Sequence, residues 1–173
     1  MLYEWANSLN DKQKALEIIG EAFEILPKTD LDLEKFWYMK GSILDCLGDK
    51  TESRICYMKA ENMDAEIEEL ERQKEMLASS KDTLINITGT HFYFGMDVFE
   101  KGMVVDLKRD ELNEHDPDAI RVEIDGETVG FVANSDYTVV DGVKSASEIK
   151  KLDFSRAEIM FIYMDQYIIA KVM

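Results

Sequence analysis

The 173-residue chain is 46% apolar, enough to core one medium or two small domains, which excludes wholesale disorder. Thirty-six acidic side chains against 20 basic ones give a net charge of −16, opposing indiscriminate adhesion to a phosphate polyanion, so any nucleic-acid role must be local and geometric. No run reaches the roughly 18–20 apolar residues of a membrane span, and Met1 to Trp5 lacks the basic start of a secretory leader, so a soluble cytoplasmic protein with no membrane partner is expected.

From the start to Ser79 the apolar positions recur every three or four residues, β-branched residues are few, and the stretch Asp64 to Ala78 is crowded with Glu, Lys, Arg and Leu. This pattern predicts helices. Leu9, Asn10, Asp11, Ala15, Ile19, Ala22 and Pro27 recur thirty-eight positions later as Leu47, Gly48, Asp49, Ser53, Tyr57, Ala60 and Ala65. Two helical hairpins follow, with small residues at Ala15, Ala22, Ser53 and Ala60 allowing close approach while Ile19 and Tyr57 fill the gap. Cys46 and Cys56 lack zinc-knuckle spacing and read as reduced, partly buried thiols.

Trp37, Gly41, Leu44, Gly48, Ser53, Tyr57 and Ala60 fall in the register that resembles the tetratricopeptide repeat. The unit beginning near Leu33 matches well. The earlier one is cut short at Met1, and an extended loop around Asp30 to Asp32 accounts for four extra residues. The resemblance implies a groove for a protein or peptide partner; with fewer than three repeats, the same pattern also fits a packing or dimerising module with Asp64 to Ala78 as a solvated capping helix.

After Lys81 the chain changes to short runs of Val, Ile, Phe and Tyr punctuated by glycines, which predicts strands. Leu84 to Ile87 precedes Gly89-Thr90-His91-Phe92-Tyr93-Phe94-Gly95; Met103 to Leu107 is a second strand; Leu112-Asn113-Glu114-His115-Asp116-Pro117-Asp118-Ala119-Ile120-Arg121-Val122 leads into a third, and Thr128 to Val132 closes the meander. Asn134 to Asp136 suggests a capped turn or short helix, Ser145 to Lys151 a helical turn, and Ala157 to Met164 with Tyr167 to Val172 a terminal hairpin completing a barrel. The chain is thus expected to be α+β in two domains: all-α helical hairpins over residues 1–80 and a mainly-β, OB-like barrel over residues 84–173.

The order of motifs from residue 84 to about 155 resembles the HIRAN domain, in which a basic residue and paired aromatics precede an Asn-Pro-aromatic-Asp-x-Asn-Ala-Ile-x-Val segment. The resemblance implies a small closed barrel that binds the 3′ end of single-stranded DNA in DNA processing or repair. Aromatic faces stack an unpaired base and a carboxylate accepts from the terminal hydroxyl, chemistry that needs little net charge. Carried over position by position, it implies His91, Phe92 and Tyr93 in the first loop and Asn113, His115 and Asp116 in the second, with Asp116 as hydroxyl acceptor.

This sequence departs from the pattern where His91 replaces an Arg and His115 an aromatic, and where Glu114 and Asp118 stand in place of Pro and Asn. Imidazoles in these places predict binding that strengthens from pH 8 toward pH 6. Alternation along Phe92, Tyr93 and Phe94 sends at least one ring into the barrel core. Asp116 before Pro117 equally suits a turn-forming Asp. Lys108, Arg109 and Arg121 fit either a phosphate path or an ordinary solvated surface, given the interleaved Asp106, Asp110 and Glu111. His91, His115 and Asp116 lack close ligand spacing, and no nucleophile or phosphate-loop signature occurs, so neither a metal, a cofactor nor catalysis is expected. The runner-up is a protein-interaction adaptor whose acidic surface selects basic partners.

Overall fold

A computed structural model describes residues 11–25 and 30–173. Its contacts divide the chain into two compact units, residues 1–72 and 73–173.

In the first unit, α1 (Lys12–Ile25) buries Ala15, Ile18, Ile19 and Ala22, one face at helical spacing. These side chains form a cluster with Met39 and Ile43 of α2 (Asp30–Leu47), edged by Phe23 and Phe36. α3 (Lys50–Ala60) starts at Asp49, whose carboxylate accepts from the Glu52 amide at 3.1 Å. Gly41 is where α2 and α3 meet most closely: a Cβ there would lie 2.6 Å from the Tyr57 ring. The Tyr57 hydroxyl donates to Asp45 at 3.1 Å. α4 (Asp64–Ser79), whose residues fall on both sides of the division at 72/73, buries Ile67, Leu70 and Leu77, so it is amphipathic.

Two expectations are corrected here. Asp30 to Asp32 is the first turn of α2, not an extended loop, and the residues joining it to α1 lie outside the described ones. Both cysteines are free, but Cys46 is exposed, as is Leu47 beside it in the last turn of α2. Cys56 is buried, and burial pushes its thiol pKa up. The helix preceding α1 in the repeat reading falls on residues 1–10, outside the described part, as does Pro27. The described residues thus place four helices before the barrel, and the tetratricopeptide assignment stays an expectation.

The second unit is a closed antiparallel barrel of β1 (Leu84–Thr88), β2 (Val104–Arg109), β3 (Ile120–Ile124), β4 (Glu127–Val132), β5 (Arg156–Tyr163) and β6 (Tyr167–Val172), in the order β1-β4-β3-β2-β5-β6. Closure leaves no free sheet edge. Alternation decides what faces inward: Val105 and Leu107 of β2 and Ile120 and Val122 of β3 join Ile85, Ile87, Ile159 and Ile168 in one core. β3 and β4 are joined at Asp125 and Gly126, with φ of +52° and +86°, the pair of left-handed residues a tight two-residue hairpin requires. Gly130 of β4 leaves room for β1, since a Cβ there would lie 2.8 Å from the Thr88 carbonyl oxygen.

The stretch after β4 is a turn and not a helix, with Thr138 and Val139 amides donating to the Ser135 carbonyl. It is pinned from beneath by Asn86, fully buried in β1, which donates to the Thr138 carbonyl at 2.9 Å and accepts from the Val140 amide at 3.2 Å. α5 (Ala146–Ile149) then forms one turn behind Ser145 and contributes Ala146 and Ile149 to the core.

Candidate nucleic-acid interface

Between β1 and β2 the chain leaves the sheet at Gly89, whose φ of +74° suits glycine, and enters a single 3-10 turn at Thr90–Phe92. Thr90 is buried, and its carbonyl accepts from the amides of Tyr93 at 2.9 Å and Gly95 at 3.0 Å. This turn breaks the alternation expected of a strand. Phe92 is 78% exposed, Tyr93 42% and Phe94 52%, so none of the three rings enters the core; Phe99 and the half-buried Met96 pack there instead. The His91 and Phe92 ring centroids are 3.8 Å apart, and Tyr93 lies 6.2 Å from Phe131 of β4. Beneath the turn is a 370 Å³ cleft, bordered by Thr88, His91, Met96, Tyr137, Asp165 and Tyr167. The ring of Tyr137 stands almost wholly in solvent.

The loop between β2 and β3 is built by its own polar side chains. The Asn113 side-chain oxygen accepts from the His115 and Asp116 amides, each at 3.0 Å, and its amide nitrogen donates to Asp110 at 3.1 Å. Asp116 Oδ1 accepts from the Asp118 amide at 2.8 Å, the turn that an Asp before Pro117 suggests. Asn134, just past β4, donates its side-chain amide to both Asp116 oxygens, at 3.1 and 2.9 Å, while its own oxygen accepts from the Ser147 amide at 2.8 Å. Lys150 closes the far side through the Pro117 carbonyl and the Asp118 carboxylate. Asn113 and Asp116 are therefore scaffold in this loop, and His115 is exposed upon it.

Both loops meet the same stretch of chain: Tyr93 rests beside Phe131 of β4, and Asp116 is tied to Asn134, three residues on and just past the strand. Phe131 is also the register partner of Thr88 in β1 and of Arg121 in β3. Phe131, Asn134, Tyr137 and Tyr167 were not singled out by sequence. Phe131 carried a signal, an aromatic next to Gly130 in outward phase; Asn134 carried none, because its partner is remote in the chain.

The cations divide by role. Arg109 donates to the Lys150 and Leu152 carbonyls and lies over the Phe154 ring at 4.5 Å, so it clamps the segment after α5. Lys108 and Arg121 flank Glu123, which is buried on the barrel wall, at 2.5 and 3.7 Å. One carboxylate therefore offsets part of the positive charge next to Phe131.

Residues 81–140 match the family model of the HIRAN domain, covering β1 through the turn after β4 and both candidate loops. The match does not extend to the helices. Neither a curated protein nor a solved structure matches the chain.

Proposed function

We propose that the barrel is a non-catalytic module that takes the 3′ end of single-stranded DNA, while the helical half docks a protein partner. A HIRAN match on an OB-like barrel fits a nucleic-acid-binding module. The observation that carries the finer reading is the 3-10 turn at Thr90–Phe92, which holds Phe92 and Tyr93 outward in solvent where a buried strand would have hidden them. Solvent-facing rings on a short, hydrogen-bonded turn are a stacking platform set in place before the ligand arrives. In this reading the last bases stack on Phe92 and Tyr93, and the chain crosses Phe131 toward Asp116. Three of the roughly four acceptor positions of Asp116 are used by Asn134 and Asp118, and the remaining one, on Oδ2, is available to a terminal hydroxyl.

The test is binding of a fluorescein-labelled oligothymidylate with a free 3′ end, followed by anisotropy. Phe92→Ala removes an exposed ring and leaves the unfolding midpoint unchanged, yet weakens binding about tenfold, the worth of one base stack. Unchanged affinity in both Phe92→Ala and Tyr93→Ala overturns the platform.

A further inference from the structure

The β3–β4 hairpin and the segment after the 3-10 turn enclose a second hollow of about 320 Å³, formed by Phe94, Val98, Ile124, Asp125, Glu127 and Val129. It is at the small end of the range for ligand pockets, about 300–1,000 Å³, so one large side chain suits it better than an extended molecule. Its wall is apolar: Val129 is buried, Val98 and Ile124 are half-buried, and Phe94 presents an exposed ring. Its polar lining is a pair of carboxylates either side of Gly126, and none of the six lining residues is a cation. The left-handed backbone of Asp125 fixes one carboxylate at the turn, and Glu127 is paired in register with Ile124 at the mouth.

We infer that this hollow is a docking site for a basic segment of a partner protein, anchored by one arginine side chain. Three features select that occupant. Two carboxylates reject a phosphate backbone and leave a neutral apolar side chain with nothing to offer the charged rim. An aliphatic stem against Val98, Ile124 and Val129 with a charged head at the rim is the shape of an amphipathic cation. The exposed Phe94 ring favours a planar guanidinium, which stacks, over a compact ammonium. A net charge of −16 draws such a segment in. This site is independent of the DNA reading, although Phe94 follows Tyr93 directly.

The experiment uses the full chain with isotope-labelled methyl groups and four short capped peptides of alanine and serine that differ only in a central arginine, lysine, norleucine or glutamine. The arginine peptide is expected to shift the Val98, Ile124 and Val129 methyl resonances, with lysine weaker and norleucine and glutamine without effect. Asp125→Asn tolerates the left-handed backbone, and together with Glu127→Gln it should weaken the arginine peptide about fivefold or more. Equal shifts from norleucine and arginine overturn the inference, as do unmoved methyls at millimolar arginine peptide, or full affinity in the doubly substituted chain.

Discussion

Asp116 accepts three hydrogen bonds from within its own domain, and the bonds from Asn134 join the β2–β3 loop to the segment after β4. Its removal strands the Asn134 amide and the Asp118 N–H in a half-buried place. Asp116→Ala is therefore expected to cost about 1–3 kcal/mol of barrel stability in urea unfolding, whatever it does to DNA. A loss below about 0.5 kcal/mol would mean that the loop stands without it. The sequence pointed to Asp116 as ligand contact or turn former, and the second role is the one the hydrogen bonds display. The tie to Asn134 was not legible, because nothing local in Asn134-Ser135-Asp136 names a partner eighteen residues earlier in the chain.

Among elements, the strands were the most readable, since each carries inward Val, Ile or Leu in alternation and a glycine or an Asp-bearing turn at its limits; the terminal hairpin falls at 156–163 and 167–172, close to where alternation placed it. The aromatic segment misled for a physical reason. Three consecutive rings look like a strand, but Thr90 turns its backbone inward to satisfy two amides and leaves the side chains in solvent. The start of α2 was misplaced because Asp30 and Asp32 are as common in helix first turns as in loops. α5 shows how little is needed to hold a single helical turn in place. Ser145 accepts from the Glu148 amide while Glu148 accepts from the Ser145 amide, a complete capping box. The Lys144 ammonium and the Ser145 amide, both donating to it, hold the Glu148 carboxyl below the usual carboxylate range. A depressed folded-state pKa adds stability above the ordinary value, about 4.3, and loses it as the pH falls through the lowered one. The barrel of the native chain should accordingly be more stable than Glu148→Gln at pH 6, with the gap closing in acid below pH 4. A gap that does not narrow as the pH falls below 4 in thermal unfolding would contradict this assignment.

At the scale of the molecule, a chain with a net charge of −16 that binds DNA must do so with few ionic contacts. Arg109 is spent on carbonyls, and Lys108 and Arg121 share Glu123. Affinity for single-stranded DNA should thus fall only gently with salt, with a logarithmic slope near −1, about one or two phosphates' worth at roughly 0.7 each. A slope steeper than about −3 would indicate that many more cations reach the phosphates than this account allows. Charge alone argued for an adaptor; the outward rings argue for an end-binding barrel, and the acidic hollow beside Phe94 gives the acidic surface a separate use.

The measurement closest to the central claim compares oligonucleotides of one sequence that end in a 3′ hydroxyl or a 3′ phosphate, titrated against the full chain at fixed salt. Recognition of the strand's end predicts about a tenfold preference for the hydroxyl, the size of one charge-assisted hydrogen bond gained and one carboxylate–phosphate repulsion avoided at Asp116. Equal affinity for the two ends would contradict it.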